Sequence, residues 1–219
     1  LADQSQNERL HRLSLDWFTA SVESGYCYQF DWLGRPIIQY PQDVVALQDV
    51  IWRVKPDLII ECGIAHGGSL IFNASMFALI DYCEASEAGF SDGWDDTGSV
   101  VVGIDIDKSC QAHEIADQNV YVRIGSQADP DFLNKVNEEF GPFDIILDDG
   151  SHKTHHQITS FGALFRPALK EGGCYMVEDL HTNYWIMYTD SPESFIELSK
   201  QMIDMLHEPY LGWGETHFR

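Results

Sequence analysis

The sequence predicts a doubly wound α/β fold with a mostly parallel sheet and a helical N-terminal extension. Three observations support this prediction: five short apolar runs follow residue 57, helical patterns separate them, and four of the five runs end in Asp or Glu. Apolar strands that alternate with helices indicate a parallel sheet covered on both faces. Right-handed crossovers would then put the ligand site at the carboxyl ends of the strands.

The elements follow from periodicity and turn residues. In the helical extension, residues 1–55, apolar side chains at helical spacing predict a helix over 10–22, and a turn-rich segment covers 31–36. Pro41 stands at the start of a second predicted helix, 42–53. The α/β domain, residues 56–219, has predicted strands at 58–62, 100–105, 120–124, 143–148 and 174–178. Its predicted helices lie at 69–82, 110–118, 132–140 and 156–169, with a surface loop over 84–99.

Composition narrows the function classes. The 219 residues include 13 Lys+Arg and 35 Asp+Glu, which gives a formal net charge of −22. Such a field repels phosphate backbones and anionic lipid, so it argues against a nucleic-acid or membrane-surface partner. A hydrophobic content of 44% is too high for a disordered acidic tail.

The cysteines and the start of the chain predict a cytoplasmic protein. Five cysteines form no CxxC pair, which fits reduced thiols better than a disulfide framework. No apolar run approaches the roughly 20 residues of a membrane span, and the start carries no signal-peptide pattern. Because the chain begins with Leu1, we expect a trimmed protein or a piece of a longer one.

The turn ECGIAHGGS, residues 61–69, predicts a cofactor site after the first strand. Its glycines permit close approach of a ligand to the backbone, and the following helix offers free N–H groups; packing alone is the alternative explanation of the glycines. The spacing is GxxxGG and differs from the GxGxxG of a dinucleotide fingerprint, which argues against NAD. Asp105 ends the second strand, where a carboxylate can accept both hydroxyls of a ribose. Together these residues predict a nucleoside-bearing cofactor that needs no pyrophosphate cradle.

A second site is predicted where the fourth and fifth strands end, in DDGSH at 148–152 and in Glu178-Asp179. Neighbouring strands lie about 5 Å apart, so Asp149 can share one ion with the Glu178-Asp179 pair. Oxygen donors favour a hard cation, Mg²⁺ before Mn²⁺ or Ca²⁺. His152 would lie over the same edge as a general base. Individually, such carboxylates also serve as helix caps.

The histidines at 152, 155 and 156 raise an alternative. Two imidazoles and a carboxylate form the facial triad of non-haem iron oxygenases. His155 and His156, however, resemble the first turn of a helix, where solvated or capping roles are more common. We therefore prefer the acidic ion site and leave the oxygenase open.

With these residues in place, the chain resembles class I S-adenosylmethionine-dependent methyltransferases. More closely, it is similar to the cephalosporin hydroxylase-like family and the mycinamicin-type macrolide-sugar O-methyltransferases. The resemblance lies in ECGIAHGGS, GIDID, LDDGSHKTHH and GGCYMVEDLHTNYW, and covers roughly residues 30–190. The upstream segment WLGRPIIQYPQDVVALQDVIWRVKPDLIIE also resembles the first group. The implied fold is the Rossmann-like class I methyltransferase fold.

The resemblance implies a role for each candidate residue. Asp105 would hold the ribose of S-adenosylmethionine, and Ser126 and Gln127 would lie near its adenine. Asp148 would replace Asp149 or orient the cofactor, and His152 would be the base. The methionine portion would lie on Glu61, Gly63, Gly67 and Gly68, and Ala65 and Ser69 of the same turn would also bind the cofactor. The magnesium ligands would be Asp149, Glu178 and Asp179.

The function expected from this resemblance is Mg²⁺-dependent O-methylation of a sugar or other diol-bearing natural product in a biosynthetic pathway. The partner would be this small-molecule acceptor, and a homo-oligomer is left open. The aromatic residues 184–188 are either an acceptor lid or a packed loop. Besides the oxygenase, a non-catalytic methyltransferase-fold module that binds a partner protein and a magnesium-dependent hydrolase remain alternatives.

The C-terminal part departs from the family pattern. Class I methyltransferases usually end in an antiparallel strand pair, but little more than residues 215–219 remains after Trp213. We therefore expect the last strands to be absent, or the C-terminal elements to be placed differently.

Overall fold

Five parallel strands form the central sheet of the protein, seen in a computed structural model that describes residues 7–208 except 88, 90–97, 116 and 117. The strands are β3 (Leu58–Cys62), β4 (Val100–Asp105), β5 (Val120–Ile124), β6 (Phe143–Asp148) and β7 (Leu169–Val177). Their order is β5-β4-β3-β6-β7, so the winding direction reverses at β3. This reversal makes the carboxyl end of β3 the topological switch point, where such sheets bind ligands. The predicted doubly wound parallel sheet is confirmed.

Helices cover both faces of the sheet, as the apolar strands require. They are α3 (Gly68–Glu87), α4 (Pro130–Phe140), α5 (Thr154–Ala168) and α6 (Phe195–His207). Alternate residues of β3 enter opposite cores: Ile59 joins the cluster with Phe72 of α3, and Ile60 joins the cluster with Leu133 and Leu164 of α4 and α5. The period-two alternation of a strand thus builds two cores from one apolar run.

The N-terminal part contains α1 (Glu8–Glu23), a 3₁₀ helix (Tyr26–Gln29), a hairpin and α2 (Pro41–Val54). The hairpin consists of β1 (Asp31–Trp32) and β2 (Arg35–Pro36), and its turn residues Leu33 and Gly34 both have positive φ, as tight hairpin turns require. The Trp32 indole donates to Ser75 Oγ over 3.0 Å and packs against Phe72, which fastens the hairpin to α3. In the described part of the chain, no helix is long and apolar enough to cross a membrane.

The sequence prediction was wrong about the element that follows β4. In place of a helix over 110–118, the chain forms a 3₁₀ helix, Lys108–His113. The backbones of Ile115 and Val120 then bond to each other, over 2.9 and 3.1 Å, as an antiparallel bridge. This pairing uses groups that a continued helix would need for its own hydrogen bonds.

The other differences concern the ends of elements. β7 begins five residues earlier than predicted, because α5 ends at Ala168. Residues 84–87 of the predicted loop belong to α3, and most of its remainder lies outside the described residues. The expectation about the C-terminal strands concerns residues from 209 onward, which also lie outside the described part of the chain. The boundary at residue 55 stays a prediction.

Two glycines of the turn after β3 allow backbone segments to meet. A Cβ on Gly63, whose φ is +91°, would lie 2.2 Å from the carbonyl oxygen of Asp149, and one on Gly68 would lie 2.3 Å from that of Pro36. Both distances are far below any tolerable contact. Backbone packing therefore explains why glycine is required at both positions.

We expect Gly63→Ala to lower the free energy of unfolding by at least about 2 kcal/mol, because the methyl overlaps backbone and the positive φ disfavours alanine. Gly162→Ala is the matched control, since Gly162 lies in α5 with nothing within 4 Å of the position that its methyl would take. That variant should gain about 0.5–1 kcal/mol from helix propensity. Urea denaturation measures both; equal stabilities would contradict the packing argument.

Candidate functional site

A cavity of about 440 Å³ opens at the carboxyl ends of β3, β4 and β6. Its volume is within the range of small-molecule sites. The turns after β3, β5 and β6, the end of β4 and the segment after β2 form its wall. The predicted site residues in this wall are Glu61, Gly63, Ala65, Gly68, Ser69, Asp105, Ser126, Gln127, Asp149, His152 and Asp179. Gly67, Asp148 and Glu178 are not part of it.

Glu61 is a buried carboxyl in the wall of the cavity, with only 2% of its surface exposed. It accepts hydrogen bonds from the Ser69 hydroxyl and, over 3.3 Å, from the Asn73 amide. Burial raises the pKa of Glu61 to about 8 despite the Ser69 bond, and the nearby Glu178 adds to the rise. A ligand ammonium group at this position would restore the ionised carboxylate.

Asp105 is held by the backbone on both oxygens. Oδ2 accepts from the Ile64 N–H over 2.9 Å, and Oδ1 accepts from the Asp107 N–H over 2.8 Å. Each carboxylate oxygen can accept a further bond, so a pair of ligand hydroxyls can still be bound. The turn after β3 and the end of β4 are therefore joined through the residue predicted to bind ribose.

Asp148 lies behind the cavity and does not reach it. Its carboxylate accepts from Gln127 Nε2 over 2.8 Å, from the Tyr175 hydroxyl over 3.2 Å and from the Ser160 hydroxyl. Burial raises the pKa of Asp148, and these bonds oppose the rise. Gln127 in turn accepts from the Ser151 N–H over 2.8 Å. Asp148 thus orients Gln127, which ties the turn after β5 to the turn after β6.

Gly67 also lies outside the cavity. Its φ is +77°, and a Cβ there would lie 2.9 Å from the His113 ring. The geometry therefore explains this glycine through the packing of the turn against the 3₁₀ helix after β4.

An acidic cluster also lines the cavity, close enough to Glu61 for their charges to interact. One donor atom each from Asp149, His152 and Asp179 can lie within 4.8 Å of the others, a spacing suited to a metal ion. Glu178 adjoins this group, since Gln39 Nε2 lies 2.6 Å from Glu178 Oε2 and 3.4 Å from Asp149 Oδ2. Three carboxylates and one imidazole fit a hard cation. The sequence analysis expected His152 to lie beside the ion ligands. In the structure its ring contributes a donor atom to the group with metal-ion spacing, together with Asp149 and Asp179.

Burial and like charge act together on these carboxylates. Desolvation raises the pKa of Asp149 well above its usual range, and Glu178 and Glu61 raise it further. Desolvation also raises the pKa of Glu178, while the hydrogen bond from Gln39 lowers it. A bound cation would relieve this repulsion.

His152 is held in a strained conformation beside Asp179. Both residues have left-handed backbones, with φ of 58° and 53°, which non-glycine residues rarely adopt. His152 Nε2 lies 3.7 Å from Asp179 Oδ2, and the buried Nδ1 has no hydrogen-bond partner. Burial lowers the pKa of His152, although Asp179 opposes the shift. The lowered pKa favours the neutral imidazole, the form that can accept a proton.

The iron-oxygenase arrangement is not assembled. His156 Nδ1 lies 2.7 Å from Ser151 Oγ, and His155 is exposed in the first turn of α5. Among the described residues, the donor group with metal-ion spacing includes His152 but neither of these histidines. The structure therefore does not bring His155 or His156 to the Asp149 and Asp179 carboxylates as the alternative required.

Residues 184–188 form an exposed rim near His152. Tyr184, Ile186 and Met187 are 77%, 94% and 72% exposed, so this segment is not the packed loop that one interpretation expected. The Tyr188 ring lies 6.2 Å from the His152 ring. An apolar surface next to the acidic cluster suits the apolar part of a ligand.

Sequence reasoning missed Gln39, which contacts two of the predicted metal ligands. It precedes the predicted helix 42–53, in the upstream segment that resembles the cephalosporin hydroxylase-like group. Its position after the apolar pair Ile37-Ile38 gives no chemical signal. Only the fold brings Gln39 close to Asp149 and Glu178, which lie 110 and 139 positions further along the chain.

We expect Glu61→Gln to flatten the pH dependence of stability. The Glu61 pKa is raised from 4.5 to about 8 in the folded protein, so the folded state keeps a proton that the unfolded state releases. Wild-type stability from this group is therefore complete below about pH 4.5 and is lost as the pH rises through 8. In denaturation experiments in EDTA, the free energy of unfolding of the variant relative to the wild type should rise between about pH 4.5 and 8. Parallel stability curves for the two proteins would contradict the assignment.

Comparison with known proteins extends these observations. The model of the family described as Rhamnosyl O-methyltransferase/CmcI matches residues 24–194. L-olivosyl-oleandolide 3-O-methyltransferase from Streptomyces antibioticus is 40% identical over 115 residues, 49% of this chain and 29% of that protein. Mycinamicin VI 2''-O-methyltransferase from Micromonospora griseorubida is 41% identical over 85 residues, 39% of this chain and 20% of that protein. The chain spans less than a third of the length of the curated relatives it matches.

Solved structures agree with the family match. The MycE methyltransferase in complex with Mg and SAH is 28% identical, with a TM-score of 0.56 over 74% of this chain and 42% of that one. A CmcI structure with Mg and SAM is 21% identical, with a TM-score of 0.53 over 86% of this chain and 67% of that one, and supports the fold alone. With most of its length matched by the family model, this chain belongs to the Rhamnosyl O-methyltransferase/CmcI family.

Proposed function

We propose that this chain binds S-adenosylmethionine and transfers its methyl group to a hydroxyl of a sugar on a natural product, with Mg²⁺ at the acidic cluster. The observation that carries this proposal is one cavity whose wall contains both the buried Glu61 and backbone-held Asp105 and the acidic group Asp149, His152 and Asp179. Relatives named as sugar O-methyltransferases support the reaction class. The whole protein's substrate belongs to the proposal, because the chain covers only part of those relatives.

The residues of the cavity fit the parts of the cofactor. Glu61 would pair with the ammonium group of the methionine portion, and Asp105 would accept the two ribose hydroxyls. Ser126 and Gln127 would contact the adenine, while Asp148 acts only through Gln127. S-adenosylmethionine would supply a methyl group that is already activated. The protein must therefore align the acceptor hydroxyl with that methyl group and remove the hydroxyl proton.

The acidic cluster fits a divalent cation in number and kind of donors. Asp149, Asp179 and Glu178 would hold it, and when bound it would polarise an acceptor hydroxyl and lower its pKa. His152 has its imidazole favoured in the neutral form and would take the hydroxyl proton at Nε2, the nitrogen near Asp179. The O–CH₃ bond forms as the S–CH₃ bond breaks, and the proton leaves on His152.

We expect the wild-type protein to bind S-adenosylmethionine with micromolar affinity in a calorimetric titration. Asp105→Asn should weaken binding about 10- to 100-fold, because charged acceptors for the ribose hydroxyls are lost. Asp107→Asn is the matched control: its side chain is exposed and outside the cavity, and asparagine also serves as a helix cap. It should bind like the wild type.

The same titration separates the alternatives. Failure of the folded wild type to bind would overturn the methyltransferase proposal and favour the non-catalytic module. Equal loss in both variants would show that general charge, and not the position of Asp105, determines the affinity.

We expect turnover to depend on the acidic cluster and on His152. The assay measures release of S-adenosylhomocysteine in the presence of Mg²⁺ with 8-demethyl-8-α-L-rhamnosyl tetracenomycin C, the acceptor named for one relative. His152→Ala should reduce the rate about 100- to 10,000-fold, the usual contribution of a general base, without changing cofactor affinity. Asp149→Ala and Glu178→Ala should abolish turnover and leave the fold intact.

The variants distinguish the parts of the mechanism. Full activity in both carboxylate variants would overturn the metal assignment and leave the cofactor site standing. Full activity in His152→Ala alone would remove the base from the mechanism. A wild type that binds the cofactor but is inactive would exclude this acceptor.

A further inference from the structure

Gln39 joins the N-terminal extension to the acidic cluster. Its amide nitrogen lies 2.6 Å from Glu178 Oε2 and 3.4 Å from Asp149 Oδ2, so one side chain reaches carboxylates at the ends of two neighbouring strands. The longer of the two is a weak hydrogen bond and the shorter a strong one. No residue of the sheet makes both contacts among the hydrogen bonds of the described chain.

The backbone on both sides of Gln39 is fixed. The Ile37 N–H donates to the Phe30 carbonyl over 2.9 Å, and the Ile37 side chain is buried. On the other side, the Tyr40 hydroxyl lies 2.9 Å from Ser21 Oγ, and the Tyr40 carbonyl accepts from the first turn of α2. Gln39 therefore extends into the cavity from a short segment that is anchored at each end.

The chemistry of an amide suits this position. Asp149 and Glu178 lie close enough to repel each other, and a neutral N–H donor reduces that repulsion without adding positive charge. A lysine here would neutralise the carboxylates and compete with a cation. The amide occupies one oxygen of each carboxylate and leaves the other oxygen for an ion.

We propose that Gln39 is a positioning residue of the cation site, which holds the Glu178 and Asp149 carboxylates together from outside the ion's coordination shell. The inference rests on the proposed function only in requiring a divalent cation at this cluster. It makes the N-terminal extension a necessary part of that site. Supporting partners of metal ligands commonly contribute 10- to 100-fold to metal affinity.

The first test measures Mn²⁺ binding by electron paramagnetic resonance, without cofactor or acceptor. We expect Gln39→Leu, which has a similar size but no donor, to bind Mn²⁺ about 10-fold or more weakly than the wild type. Gln29→Leu is the matched control, because Gln29 is exposed and its amide donates, among the described residues, to the nearby Gly25 carbonyl alone, over 3.3 Å. It should bind like the wild type.

A second variant tests the donor directly. Gln39→Glu keeps the length of the side chain and replaces the donor with a carboxylate, so it should lower the Tm in EDTA through repulsion. Mn²⁺ should then raise the Tm of this variant more than it raises that of the wild type. A purely structural role for Gln39 would lower the Tm equally with and without Mn²⁺.

The outcomes are distinct. Wild-type Mn²⁺ affinity in Gln39→Leu, or an Mn²⁺-independent loss of Tm in Gln39→Glu, would overturn the role of Gln39 and leave the metal site intact. A wild type that binds no Mn²⁺ would overturn the metal part of the proposed function together with this inference. Cofactor binding by calorimetry would stand or fall independently of both.

Discussion

The continuation of the sheet hydrogen bonds beyond the strands is the constraint on which the site depends. Asp149 N–H donates to the Cys62 carbonyl over 3.0 Å, and Glu178 N–H donates to the Asp148 carbonyl over 3.0 Å. The Gly63 N–H likewise donates to the Ile104 carbonyl over 2.9 Å. The ladder therefore places acidic residues side by side in spite of their mutual repulsion, and the cooperative stability of the sheet offsets that repulsion.

The same ladder determines which side chains face the cavity. Consecutive strand residues point to opposite faces, so Asp148 shares a face with Ile146 and bonds to residues of α5 and β7. Asp149, the next residue, lies on the side of the acidic cluster. The two adjacent aspartates thus have different surroundings: Asp148 orients Gln127, and Asp149 is available to a ligand.

The sequence predicted the sheet well because the signals were local. Residues 58–62 and 143–148 are mostly apolar runs that a doubly covered strand buries, and acidic residues stand at or near their ends. Features that depend on how the elements pack in the folded chain were beyond such reasoning. The bridge between Ile115 and Val120 replaced a helix, the position of Asp148 depended on strand phase, and Gln39 had no pattern at all. Each of these depends on contacts that the fold alone creates.

In the described chain, the ion pairs of lysine and arginine involve carboxylates outside the acidic cluster, which leaves the neutral Gln39 as a neighbour of that cluster. For example, Arg123 pairs with Glu114 and Glu139, and Lys170 pairs with Asp144. Within the cluster, the basic groups near Asp179 are imidazoles. A cluster stabilised by lysine would be satisfied without a metal. Because an amide donor lessens the repulsion without cancelling the charge, the negative potential that attracts a divalent cation remains.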